Sequence, residues 1–276
     1  MSDPAKRLGV CSWSLQPETP AELIAAMKEI GLDQVQLALD PLRESPQWAE
    51  APQQLADAGI KIISGMFATI GEDYSTLESI RKTGGIVPDE TWAQNWANIE
   101  RTVPIAEKLG IRIMLFHAGF IPHEAGNPTW EKVRDRVGQI ADLYADADVT
   151  LTLETGQEDA PTLLKFISEV DRPNVAVNFD PANMILYDKG DPVEALRTLM
   201  PHVRHIHIKD ADRTTTPGTW GTEKPAGEGQ VDWDGFFAVL DDERYQGYLA
   251  IEREGGDQRV QDIRTAKEMV LQYLAT

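Results

Sequence analysis

Cysteine is all but missing. Cys11 stands alone among 276 residues, so no internal disulfide can form and packing alone must hold the fold, as in a reducing compartment. A cytoplasmic location is expected on that ground. Met1–Pro4 also runs straight into an apolar strand, without the basic-then-apolar order of a signal peptide. Long apolar runs are missing too: nothing approaches the roughly 18 residues of a membrane span, and no membrane partner is expected. Positive charge is scarce, with 26 Lys and Arg against 45 Asp and Glu and a formal net charge of −19. Such a surface repels phosphate backbones at long range, which argues against a nucleic-acid partner. No GxGxxG follows the first apolar run, so the dinucleotide-binding fingerprint is lacking.

What is present is an alternation. Strand-like runs at Leu8–Ser12, Gln34–Leu39, Lys61–Met66, Arg112–His117, Thr150–Glu154, Val175–Asp180, Val203–Lys209 and Tyr248–Glu252 are each followed by a helical pattern. The helical stretches are Pro20–Ile30 (with Thr19 as cap), Trp48–Ala58, Thr91–Leu109, Trp130–Ala145, Ala160–Val170, Val193–Leu199, Trp233–Leu240 and Val260–Leu274. Eight such units predict an α/β fold, a parallel eight-stranded (β/α)8 TIM barrel forming a single domain over residues 1–276. An open doubly wound sheet is the competing arrangement. Two connections, Phe67–Pro88 and Asp210–Val231, are longer than a packed barrel needs. Both follow strands, on the face where barrel enzymes keep their sites, and read as lids or substrate walls.

Four residues stand at matching places in consecutive units. Glu154 ends TLTLE, Asp180 ends VAVNFD, His207 lies in VRHIHIK and Glu252 ends YLAIE. In a barrel all four point toward the axis at one end. Three carboxylates and an imidazole so gathered repel one another strongly in a low dielectric unless they protonate or share a cation. One divalent ion resolves this. Three oxygens and one nitrogen suit Mn2+ first, then Mg2+ or Co2+, with Zn2+ also within range. Each residue has a plainer alternative: Asp180 before Pro181 could cap a helix, and His205 and His207 share a strand face, so one of them lies deeper in the core. His117, which ends the fourth strand-like run within LFHAGF, faces the same mouth as a substrate contact or a packing residue. Trp13 and Phe67 could stack on a sugar or cap the core. Lys209 alternates away from His207 and is expected in a structural ion pair.

The stretches LETGQE, NFDPANM, HIHIKD with the later GEGQVDW, and IERE resemble the xylose isomerase-like TIM barrels, the sugar phosphate isomerase/epimerase superfamily. The resemblance spans nearly the whole chain. It implies that Glu154, Asp180, His207 and Glu252 bind the metal, and that Glu154 and Glu252 are the catalytic pair exchanging protons with a small-molecule sugar or polyol. By the same resemblance Arg213, in His207-x-x-Asp210-x-x-Arg213, contacts substrate hydroxyls, as does Glu158. Asn183 departs from the epimerase pattern, which has histidine there, and is taken as a substrate-binding position. The implied activity is a metal-dependent isomerase or epimerase of a keto-sugar. The alternatives are a dehydratase or lyase of an inosose or 3-keto sugar and, more remotely, an endonuclease IV-like nuclease or an inactive barrel. Only five histidines speak against a multi-metal nuclease site. Barrels of this size often pair, so a homo-oligomer stays open.

Overall fold

In the computed structural model, which describes residues 4–124 and 126–275, eight strands close into a parallel barrel. They are β1 (Leu8–Cys11), β2 (Gln34–Ala38), β3 (Lys61–Met66), β4 (Ile113–Phe116), β5 (Thr150–Glu154), β6 (Val175–Phe179), β7 (Val203–Ile208) and β8 (Tyr248–Ile251). Each pairs with its sequence neighbours, and β1 closes the ring against β8 through Leu8↔Leu249, Gly9↔Ala250 and Val10↔Ile251. The strands are buried on both faces, which is why they read as continuous apolar runs rather than alternations. The closed barrel replaces the open-sheet alternative.

Helices cover the outside, and their ends follow local chemistry. Thr19 accepts from the Glu22 N–H, Asp159 from Thr162 and Asp191 from Val193 and Glu194, each satisfying amides that a first helical turn leaves orphaned. Between β2 and β3 the sequence predicted one helix over Trp48–Ala58. The structure starts that helix later, at Ala51–Asp57, after a 3-10 turn at Pro46–Trp48, and adds a short helix Asp40–Glu44 that ends where Pro46 holds Ser45 extended. Among the described residues, no helix is long and apolar enough to cross a membrane.

Both long connections contain structure of their own. Phe67–Pro88 carries the helix Leu77–Thr83, started by a capping box between Thr76 and Ser79. Gly85 folds this segment onto the end of β4: its φ is +65°, and a Cβ there would stand 2.2 Å from the Ala118 backbone. The second connection opens as a two-stranded antiparallel ribbon, Asp210–Asp212 against Thr222–Lys224.

Asp210 fastens that ribbon. Its Oδ1 accepts the amides of Ala211 (2.8 Å) and Val231 (3.1 Å). Its Oδ2 accepts those of Gly227 (2.9 Å) and Gly229 (3.2 Å) and the Trp233 indole N–H (2.9 Å). Gly229 comes so close that a Cβ would lie 2.2 Å from Asp210 Oδ1. The GEGQVDW stretch is therefore a cradle for one buried carboxylate. Asp210→Asn turns one acceptor into a donor facing donors and should cost about 1–3 kcal/mol. The melting temperature should fall by roughly 2–4 °C for each kcal/mol, read by calorimetry.

Candidate active site

The carboxyl ends of the strands surround a cavity of about 650 Å³. At its floor Glu154, Asp180, His207 and Glu252 each place one donor atom so that all lie within 4.8 Å of one another, and all four are buried. His207 Nδ1 is 2.7 Å from Glu154 Oε1, 3.4 Å from Glu252 Oε2 and 3.7 Å from Asp180 Oδ2. Asp180 acts on both sides: Oδ1 accepts the Asn183 amide at 3.0 Å and caps the helix Pro181–Leu186, while Oδ2 is buried without a hydrogen-bond partner. His207 Nδ1 likewise has no partner of hydrogen-bonding geometry. Two bare, buried donors facing one point, in a set of three carboxylates and an imidazole, fit a divalent cation.

The surroundings hold these groups in place. His207 Nε2 meets Gln36 Oε1 at 2.8 Å, and the Cys11 thiol reaches the same oxygen at 3.4 Å. An acceptor behind the imidazole keeps the proton on Nε2 and leaves Nδ1 facing the carboxylates. Glu154 Oε1 accepts from Asn178 Nδ2 at 3.2 Å, and Asn178 Oδ1 is 2.7 Å from His205 Nδ1, whose Nε2 reaches Ser64 Oγ at 3.0 Å. His205 is thus the deeper of the two histidines and belongs to the core. The barrel's register shifts fall between Val35 and Gln36 and between Val177 and Asn178, immediately at these two supporting residues.

Lys209 does not point away. β7 ends at Ile208, the alternation stops, and Lys209 turns into the cavity, with Nζ 2.8 Å from both Glu252 Oε2 and Glu254 Oε2 and 3.9 Å from Asp180 Oδ2. Trp13, on the turn after β1, donates its indole N–H to Glu252 Oε1 at 2.7 Å. His117, just beyond β4, puts Nε2 2.6 Å from Glu154 Oε2. Asn183 lines the cavity and donates to the Thr155 carbonyl at 3.2 Å. Phe67 is fully buried and stacks on Phe116, so it packs the core rather than the mouth. Arg213 stands apart from the cavity wall, paired with Asp188 and the Gly190 carbonyl. Glu158 lines a narrow pocket beside the main cavity, with His117, Glu154 and Asn183.

Charge sorts the carboxylates. Burial opposes ionisation of Glu154, but His117 and His207 draw its pKa down to about 2. Burial raises Asp180, and the like charges of Glu154 and Glu252 add to this against Lys209 and His207, leaving it at about 6. Burial keeps the Cys11 thiol protonated, with a pKa pushed up to about 12. Gln36 and Asn178 escaped the sequence reading, and Lys209 was expected in an ion pair, which it makes, but on the other side of its strand. Polar residues inside strands buried on both faces, as in QVQLA and VAVNF, were the available signal for the first two.

A family model described as a xylose isomerase-like TIM barrel matches residues 24–273. The chain is 32% identical to the xylose isomerase domain protein from Planctomyces limnophilus, whose crystal structure superposes with a TM-score of 0.85 over 91% of either chain. It is 30% identical over 135 residues to the uncharacterized protein YihM of Escherichia coli, covering 48% of this chain and 40% of that one. Identity is 24% over 149 residues to inosose dehydratase of Clostridium botulinum, covering 48% and 49% of the two chains. Against L-ribulose-5-phosphate 3-epimerase UlaE of Shigella flexneri it is 26% over 243 residues, covering 84% and 81%. The match therefore spans under half the length of YihM and of the dehydratase, and most of the epimerase.

Glu158 gives a test of the electrostatics. Burial lifts its pKa from 4.5 to about 8, with Lys189 the main opposing charge. The folded state then holds a proton that the unfolded chain releases above 4.5, so its contribution to stability is full below that value and fades as pH rises through about 8. Glu158→Gln should flatten this decline, with the melting-temperature gap between variant and parent widening from pH 5 to pH 8.

Proposed function

The chain belongs to the xylose isomerase-like TIM barrel family, and on that premise we propose that it is a divalent-metal-dependent enzyme epimerising or isomerising a keto-sugar or related polyol. The observation that carries this reading is the convergence of Glu154, Asp180, His207 and Glu252, with Asp180 Oδ2 and His207 Nδ1 bare toward the shared point. These four residues would hold the cation, Mn2+ in our assignment. When bound, the cation supplies Lewis-acid polarisation of a carbonyl, which acidifies the neighbouring C–H.

The protein's own groups do the rest. Glu154 and Glu252 stand on either side of His207. One accepts the carbon-bound proton while the other gives a proton to the opposite face of that carbon, which inverts it. Delivery to the adjacent carbon gives isomerisation. His117 and Asn178 keep Glu154 ionised as the acceptor; Trp13 orients Glu252, and the adjoining Lys209 ammonium supplies the proton that Glu252 passes to the opposite face. Trp13 and Asn183 meet substrate from the cavity wall, and Glu158 is assigned a part through the adjoining pocket.

A dehydratase is the second reading, and Lys209 favours it. Its ammonium group lines the cavity next to Glu252, where it could hand a proton to a departing hydroxyl. The wall supplies Glu72, Glu223 and Glu254 rather than a basic track, which is unsuited to a nucleic-acid substrate.

Proton NMR in D2O, with Mn2+ replaced by diamagnetic Mg2+, should show deuterium entering the carbon beside the carbonyl of a keto-hexose. A rise in ultraviolet absorbance from an unsaturated ketone would mark the dehydratase instead. Glu154→Gln and Glu252→Gln should each lower kcat by about 10²–10⁴-fold. Asp180→Asn should abolish stoichiometric Mn2+ binding in calorimetric titration, and Gln36→Leu should weaken it about 10–100-fold. Unchanged metal affinity in all four variants would remove the site.

A further inference from the structure

The cavity is larger than a sugar needs. At about 650 Å³ it lies among sites that enclose drug-sized ligands, roughly 300–1,000 Å³, and a bare hexose fills a minor part of it. Its wall changes character with distance from the floor. The floor is polar, built of the four-residue cluster and Lys209. Beyond the strand ends the two insertions and the chain after β6 bring in rings: Tyr74 from the segment after β3, Trp220 from the segment after β7, and Tyr187 between them. Tyr74 is 46% exposed and is the large hydrophobic residue left open to solvent among the described residues. Tyr187 stands edge-on to Trp220, with centroids 4.8 Å apart. The Trp220 indole Nε1 is buried without a hydrogen-bond partner, so the residue meets the cavity through the other atoms of its ring.

Two acids in this outer region are each engaged through one oxygen. Glu72 Oε1 accepts the Gly85 amide at 2.8 Å. Glu223 Oε1 accepts from Arg253 Nη1 and from the amides of Glu254 and Gly255 at 2.7, 2.8 and 3.0 Å. One oxygen of each acid is thus tied to the wall, whereas faces and edges of the aromatic rings remain available.

We propose that this outer chamber binds a planar apolar substituent, so that the substrate is a sugar carrying an aromatic group. The inference rests on the sugar chemistry proposed above. Trp220 and Tyr74 grip the ring from the cavity wall.

Calorimetric titration of the Mn2+-loaded protein with phenyl β-glucoside, methyl β-glucoside and cellobiose tests this. The phenyl compound should bind at least about tenfold more tightly than the methyl one, as expected for burying an aromatic ring against aromatic walls. Trp220→Ala should erase that preference while leaving the affinities for methyl glucoside and Mn2+ unchanged. Trp220→Phe, which keeps a ring but loses the N–H, should retain most of it. Equal binding of the phenyl and methyl glucosides, tighter binding of cellobiose, or a preference that survives Trp220→Ala combined with Tyr74→Ala would each overturn the proposal. Mn2+ binding without phenyl preference defeats this proposal alone. Phenyl preference without Mn2+ binding defeats the metal reading and upholds this one.

Discussion

Crowding like charges at the end of a barrel is the constraint that organises this molecule. Glu154, Asp180 and Glu252 approach within one coordination sphere of His207, with almost no water to screen them. Such a cluster survives only if opposite charge or hydrogen bonds compensate it. The compensation is distributed: His117 on Glu154, Lys209 and Trp13 on Glu252, Asn178 beneath Glu154. Asp180 receives the least, its Oδ2 meeting no donor closer than His207 at 3.7 Å. That oxygen is therefore the one most in need of a cation.

Support runs inward from the site through polar residues that an all-apolar barrel would not tolerate. Ser64, His205 and Asn178 form a chain ending on Glu154, and Gln36 with Cys11 backs His207. Both supports sit at irregularities of strand register. A regular ladder would aim Gln36 and Asn178 elsewhere, so the local distortion and the orientation of the cluster are two sides of one arrangement.

Much of this was legible from residues alone. Glu154, Asp180, His207 and Glu252 at matching places in four consecutive units are a pattern that a parallel barrel converts directly into proximity. Cap and ligand did not exclude each other for Asp180, because a carboxylate has two oxygens: one caps the helix and the other is left bare toward the cluster. His205 and His207 share a face, and only the depth of the barrel separates core residue from site residue. Lys209 was misplaced because alternation holds only while a strand lasts, and β7 stops one residue earlier. The partners of Arg213 are set by the chain after β6, at Asp188 and Gly190, a long-range pairing that spacing along HIKDADR could not reveal.

The attachment of the ribbon after β7 has an architectural meaning. Asp210 at its root grips Gly227, Gly229, Val231 and Trp233 at its return, so the chain leaves the barrel and re-enters it through a single clasp. Outboard of that clasp, Glu223 still ties the returning chain to Arg253, Glu254 and Gly255, whereas Thr214, Thr216 and Thr219 at the tip bond to one another. That tip is a cassette: its length and composition could change while the cluster below keeps its place, altering what is admitted to the cavity.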